Sequence, residues 1–202
     1  LGDIEITDVT CDSRKVKPGS LFVCIAGENF DGHDLAGDSL EKGAVAVVCE
    51  RNLGLKEQIL TDNTRKAYGT ICCNYFGNPA GRLKLIGVTG TNGKTTVTTL
   101  IKSILSSCGI KTGLIGTIQN EIGDMILPTD KTTPDAYDLQ KLFLRMADEG
   151  CEYVVMEVSS HALDQYRIGN IHYDVAVFTN LTQDHLDYHK TLKDYIKSKD
   201  MK

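Results

Sequence analysis

The sequence predicts an α/β fold in two parts, a small N-terminal α/β unit and, from residue 81, a regular alternation of strand and helix. Three observations carry this. Short apolar runs bounded by glycine alternate with stretches of helical periodicity, Gly77-Asn78-Pro79 interrupts the alternation once, and one strand–helix junction holds the glycine-rich turn Gly90-Thr91-Asn92-Gly93-Lys94-Thr95-Thr96. Apolar strands alternating with helices imply a parallel sheet covered on both faces.

In the first unit, Leu21–Ile25 and Ala44–Cys49 have the form of buried strands. Residues 33–42 suit a helix stopped by Gly43, and a second helix is predicted from Thr64 to Tyr75, where Tyr68, Ile71, Cys72 and Tyr75 fall at helical spacing. The turn at Gly77-Asn78-Pro79 ends it, which places a domain boundary at residue 80 and gives units 1–80 and 81–202. In the second unit Leu83–Val88 is a strand. Val97, Leu100, Ile101, Ile104, Leu105 and Cys108 form one apolar stripe of the helix after the turn. Further strands are Gly113–Ile115, Tyr153–Met156 and Asp174–Phe178. A helix over Pro134–Glu149 takes Thr133 as its N-cap and carries Leu139, Leu142, Phe143 and Met146 on one face.

Composition bounds the function. The chain has 202 residues, 41% hydrophobic and 24% charged, values of a folded globular protein rather than a disordered or collagen-like one. No run approaches the roughly 20 apolar residues of a membrane span, and Leu1-Gly2-Asp3-Ile4-Glu5 lacks the regions of a signal peptide, so a cytoplasmic protein is expected. Lys and Arg number 22 against 27 Asp and Glu, a formal charge of −5. A general grip on nucleic acid is therefore not expected, and an anionic ligand must be held locally. Seven cysteines without CxxC pairing read as reduced thiols that pack in the core, among them Cys24, Cys49, Cys72, Cys108 and Cys151.

The turn at 90–96 is where a phosphate-binding loop belongs. Its glycines let backbone N–H groups converge on phosphate oxygens, Lys94 neutralises phosphate, and Thr95 can offer a hydroxyl to Mg²⁺. The usual pattern has a further glycine five residues before Gly93, where this chain has Val88, so only the GxxGKT core remains. Glu157 follows an apolar strand at the sheet's carboxyl edge, where ligands of open parallel sheets bind. It is a metal ligand or, equally, a solvated strand-end carboxylate. The strand Val175–Phe178 likewise runs into Thr179–Asp187 and brings His185 to the same edge. In a final helical segment Lys199 shares the apolar face of Leu192, Tyr195 and Ile196; periodicity alone favours a snorkelling side chain there.

Together these motifs resemble the Mur ligase family, ATP-dependent enzymes that extend the peptide of the bacterial cell-wall precursor. GTNGKTT at 90–96, MEVSSHAL at 156–163 and TNLTQDHLDYH at 179–189 look most like the member that adds the third residue. The resemblance starts near Asp12-Ser13-Arg14 and continues through Asp31-Gly32-His33 to the last residues. It implies a UDP-sugar-binding domain followed by the start of a phosphate-loop ATPase domain, in a monomer whose family also has a C-terminal domain. The chain stops inside a predicted helix, so a fragment unable to complete the reaction alone is expected.

The resemblance further implies that ATP phosphorylates the terminal carboxylate of the UDP-N-acetylmuramoyl dipeptide, and that the amine of a diamino acid attacks the acyl phosphate. Diaminopimelate is the expected amine and L-lysine the alternative. Residues 90–96 would bind ATP, with Thr95 and Glu157 at one Mg²⁺ site, His185 at a second, and Lys199 carbamylated by CO₂ to an anionic ligand. Ser13, Glu28, Asn29, Phe30, Thr132, Thr133, Ser159, Gln165 and Arg167 would contact the UDP-sugar peptide. The rival readings are another ligase of the same superfamily, such as a folylpolyglutamate synthetase, which the N-terminal DSR and DGH segments disfavour, and a nucleotide-dependent switch that forms no amide.

Overall fold

The structure is a computed structural model that describes residues 3–27 and 30–182. Its N-terminal sheet is wholly parallel: β1 (Asp8–Thr10), β2 (Ser20–Val23), β3 (Ala46–Cys49) and β4 (Gln58–Leu60) lie side by side in chain order. Strand residues alternate between its two faces, as the pleat requires. Val9, Leu21, Val23, Ala46 and Val48 pack beneath α2 (Thr64–Tyr75), whereas Phe22, Cys24, Val47 and Cys49 meet α1 (Ala36–Glu41) through Ala36. The edge strands β1 and β4 are too short to give a periodic signal in the sequence.

His33 ties this unit together. It is buried, its Nε2 accepts from Glu50 N at 2.9 Å, and the ring proton is thereby assigned to Nδ1, which lies 2.6 Å from Asp31 Oδ1. Asp31 also accepts from the His33 N–H and pairs with Arg51 at 2.7 Å. Glu50 in turn accepts from the N–H and hydroxyl of Thr64 at the start of α2. The DGH segment is therefore fixed to the residues that follow β3.

The second sheet has six strands, in the order β10-β5-β9-β6-β7-β8. β5 (Lys84–Thr89), β6 (Thr112–Ile115), β9 (Tyr153–Glu157) and β10 (Val175–Phe178) are parallel. β7 (Asn120–Ile122) and β8 (Met125–Leu127) extend the expected parallel sheet by an antiparallel hairpin around Gly123. These strands have three residues each, too few for an alternating pattern to register.

α3 (Lys94–Ser107) covers one face of this sheet and α4 (Ala136–Asp148) the other. The α3 stripe is narrower than its sequence suggests: Val97, Ile101 and Leu105 pack on the sheet, while Leu100, Ile104 and Cys108 are exposed. Cys108 is therefore not a core thiol. Cys24, Cys49, Cys72, Cys73 and Cys151 are buried and unbridged, and burial pushes the Cys24 and Cys72 thiols up to about 12. On α4, Leu139, Phe143 and Met146 are fully buried, each worth roughly 1.5–3 kcal/mol of transfer free energy.

α4 begins at Ala136 with Asp135 as its N-cap, two residues later than predicted. Thr133 does not cap it. Its hydroxyl instead donates to Glu157 O at 2.9 Å and accepts from Ser159 N at 3.0 Å, bonds that hold it to the end of β9. The start of α4 also joins the two units. Ala136 packs into the core beneath α2, Tyr137 Oη bonds Asp8 at 3.3 Å, and the Tyr137 ring meets Tyr75 and Phe76.

The Asp31 contacts make a pH-dependent contribution with a definite sign. The His33 N–H, then Arg51, then the His33 ring hold its carboxyl well below the usual carboxylate range. A depressed folded-state value stabilises fully above the unfolded value near 3.9, and the contribution is lost as pH falls toward the folded value. Asp31→Asn is thus expected to lower the urea midpoint at pH 7, with the gap to the parent closing below pH ~4. A gap that stays constant down to pH 2 would contradict this.

Candidate active site

The carboxyl ends of β5, β9 and β10 meet at one edge because these strands are neighbours in parallel register, with Val88 opposite both Glu157 and Val177. The glycine-rich turn leaves β5 there and enters α3. Gly90 has φ +143°, a backbone region that side chains rarely adopt, and a Cβ on it would fall 1.9 Å from Thr179 Oγ1. Gly93, at φ +83°, is the N-cap of α3.

The segment leaving β10 pins this loop. Thr91 N donates to Asn180 O at 3.0 Å, Asn92 N donates to Asn180 Oδ1 at 3.0 Å, and Asn180 Nδ2 returns a bond to Asn92 O at 3.0 Å. Thr179 Oγ1 donates to Asn92 O at 2.7 Å, and Thr91 Oγ1 exchanges bonds with the Thr182 backbone. Lys94 Nζ lies over the loop, donating to Gly90 O at 2.9 Å and Thr91 O at 3.0 Å. The sequence pattern singles out the loop but not Thr179, Asn180 and Thr182 as its partners. The run of short polar residues directly after an apolar strand was the available signal.

Glu157 is 1% exposed, which excludes the solvated strand-end alternative. Its Oε1 accepts from Thr117 N at 2.9 Å and its Oε2 from Thr117 Oγ1 at 3.0 Å. A Cβ on Gly116 would stand 2.6 Å from Oε1, so a side chain there would displace the carboxylate from this position. No lysine or arginine pairs with Glu157 among the described residues, and a buried carboxylate without a counter-charge is costly. It lines a cavity of about 180 Å³ together with Thr95, whose hydroxyl has no protein partner among the described residues.

No group of three or more His, Cys, Asp or Glu gathers to hold a metal among the described residues. One buried carboxylate and one hydroxyl nevertheless suit Mg²⁺, a hard cation that keeps several waters and is commonly held by one or two carboxylates plus substrate phosphates. His185 and Lys199 lie outside the described residues.

A second cleft, about 420 Å³, adjoins Lys94 and Thr117 and is lined by Thr132, Thr133, Ser159, His161 and Arg167. Ser159 caps α5 (Ser160–Asp164) by accepting from Ala162 N. The Arg167 fork closes on Gln165 Oε1 at 2.7 and 2.9 Å, its Nη1 donates to Thr133 O, and Asp135 lies 3.4 Å away. Arg167 and Gln165 are thus brought together with Thr133, with the guanidinium already engaged. Lys131, beside Thr132, pairs with Asp135 at 2.5 Å. A larger cavity of about 850 Å³ lies between the Leu127–Lys131 segment and the charged side of α4. It contains neither the glycine-rich loop nor Glu157, so the chemistry is assigned to the smaller clefts.

In the N-terminal unit, Arg14 grips Asp12 through Nε at 2.9 Å and Nη2 at 2.8 Å, which lowers the Asp12 carboxyl to about 2 and fixes the turn that carries Ser13. Phe30 is exposed, and Glu28 and Asn29 lie outside the described residues. Ser13 and Phe30 are not among the residues lining the cleft at Lys94.

Asn180→Ala removes both side-chain bonds to Asn92 and leaves the strands in place. With each such bond worth roughly 0.5–1.5 kcal/mol, we expect about tenfold weaker binding of a fluorescent ATP analogue to the full-length protein, with an unchanged far-ultraviolet circular dichroism spectrum. Unchanged nucleotide affinity would show that the loop holds its shape without this clamp.

Comparison with known proteins agrees with this geometry. A model of the Mur ligase middle domain matches residues 88–201, and a model of the catalytic domain of the Mur ligase family matches residues 5–72. The UDP-N-acetylmuramoyl-L-alanyl-D-glutamate--2,6-diaminopimelate ligase of Geobacillus thermodenitrificans is 50% identical over 199 residues, 98% of this chain and 41% of that protein. The ligase of the same name from Clostridium perfringens is 46% identical over 198 residues, covering 96% and 41%. A solved structure of a ligase with this name superimposes with a TM-score of 0.84 at 34% identity, over 96% of this chain and 40% of that one. The ADP complex of MurF from Thermotoga maritima shares the fold, with a TM-score of 0.56 at 23% identity over 98% and 43%. This chain therefore spans about two fifths of the length of the relatives it matches, and it belongs to the Mur ligase family.

Proposed function

We propose that the protein to which this chain belongs is an ATP-dependent ligase that adds diaminopimelate to UDP-N-acetylmuramoyl-L-alanyl-D-glutamate. The observation that carries this reading is the meeting of a clamped phosphate loop, a buried carboxylate and a polar cleft at one sheet edge. The names of relatives about 50% identical supply the substrate. L-Lysine is the alternative third residue.

In this reading residues 1–80 hold the UDP end, through Ser13, Glu28, Asn29 and Phe30. Residues 81–202 supply the nucleotide loop and the cleft where Thr132, Thr133, Ser159, Gln165 and Arg167 receive the sugar and peptide. A carboxylate oxygen of the dipeptide attacks the γ-phosphorus of ATP, and ADP leaves. The amine then attacks the acyl carbon, phosphate leaves, and an amide remains. Lys94 would exchange its two loop carbonyls for phosphate oxygens and neutralise charge that grows during transfer. The α3 N-terminus adds its favourable partial charge and backbone N–H groups toward the same oxygens.

Glu157 and Thr95 would hold Mg²⁺, with His185 at a second site. Bound there, the ion offsets phosphate charge and aligns the transferring group. Lys199, by family resemblance, would carry a carbamate that contributes an anionic oxygen ligand. CO₂ reacts only with a neutral amine, so that lysine must sit where its ordinary value near 10.4 is lowered.

Lys94→Ala in the full-length protein is expected to cut amide formation, measured with ADP release in single turnover, by on the order of 10³-fold or more. Binding of the UDP-sugar dipeptide should be largely retained. Unchanged turnover would remove the phosphate-loop assignment, and slow ATP hydrolysis without amide would favour the nucleotide switch. For Lys199→Ala we expect strong impairment that a small added carboxylate partly restores; full activity without it would return this lysine to a snorkelling role.

A further inference from the structure

The turn after β6 holds Glu157 through a single residue. Thr117 gives its N–H to Oε1 at 2.9 Å and its hydroxyl to Oε2 at 3.0 Å, so both carboxylate oxygens are fixed from one side. Thr117 Oγ1 also lies 3.1 Å from Thr132 Oγ1. A hydroxyl has one proton, and a carboxylate oxygen only accepts. The Thr117 proton is therefore committed to Glu157, and the proton of the second bond comes from Thr132.

The chain of bonds runs one way, from Thr132 through Thr117 to Glu157. Thr132 lines the 420 Å³ cleft beside Lys94, whereas Glu157 lines the separate cavity with Thr95. Thr117 lines the cleft and reaches the cavity only through its two bonds to Glu157. With its proton used inward, Thr132 turns only lone pairs to the cleft.

We propose that Thr117 is a positioning residue that presents Glu157 to a divalent cation, and that the bond from Thr132 makes the cleft at that point favour a ligand group that donates, such as an amide N–H or a hydroxyl. This rests on the reading of Glu157 as the carboxylate that holds the cation. The hydroxyl fixes the rotation of the carboxylate, and the N–H alone leaves Oε2 free to turn away from the ion.

The test is Mn²⁺ binding to the full-length protein with a non-hydrolysable ATP analogue, followed by electron paramagnetic resonance, for Thr117→Val, Thr117→Ser and Glu157→Gln. Thr117→Val keeps shape and N–H but lacks the hydroxyl. It is expected to raise the Mn²⁺ dissociation constant several-fold and the half-saturating Mg²⁺ concentration in turnover with it, while Thr117→Ser stays near the parent. Should the valine variant fail to fold, Thr117→Ala provides the same loss of the hydroxyl. Mn²⁺ affinity unchanged in Thr117→Val but lost in Glu157→Gln would overturn the positioning role and leave the metal reading intact. Affinity unchanged in both would overturn the metal reading as well.

Discussion

The structure depends on the parallel pairing of β5 with β10. That register places Phe178 opposite Thr89, so the two chain exits leave the sheet side by side. A loop that carries Val88 where the common phosphate-loop pattern has its first glycine needs an outside hold on its shape. Thr179, Asn180 and Thr182 provide it, from a segment about ninety residues later in the chain. Gly90 is fixed by the same contact, since any side chain would strike Thr179. Without the pairing, the loop, the lysine over it and the entry of α3 would have no common frame.

The second constraint is the buried carboxylate. β9 lies between β5 and β6, so a residue at its end faces both the loop and the β6–β7 turn. Glu157 is supported from one direction by Thr117, given room by Gly116 and joined through its carbonyl to Thr133. Thr133 in turn holds the segment that leads into α4. The end of one strand thereby sets where the polar cleft opens and where the helix joining the two units begins.

Legibility in the sequence followed the length and periodicity of each element. α2 matched its predicted bounds because Asn63 caps it and its buried positions repeat cleanly. The buried central strands were readable as apolar runs. β1, β4, β7 and β8 were not, since three residues carry no period and the hairpin after β6 presents mixed polarity. On α3, Leu100 and Ile104 extended the apparent stripe although neither packs on the sheet. Thr133 was assigned to a cap because local pattern favoured it, and a tertiary bond to the end of β9 took it instead. The loop, Lys94 and Glu157 were visible as residue types at strand ends, whereas the site roles of Thr132, Thr133, Ser159, Gln165 and Arg167 came from the family resemblance alone. Thr117, Gly116 and Asn180 were not visible, because their roles arise from contacts across tens of residues. Their significance is geometric rather than local.

The central claim is that the clamped loop and Glu157 form one phosphoryl-transfer site. The most direct measurement is anomalous diffraction from the full-length protein crystallised with Mn²⁺ and a non-hydrolysable ATP analogue. The account predicts a manganese peak within about 2.1 Å of a Glu157 carboxylate oxygen and of Thr95 Oγ1, with the analogue's phosphates cradled by residues 90–96. Manganese and phosphates ordered elsewhere, with Glu157 still bonded only to Thr117, would contradict it.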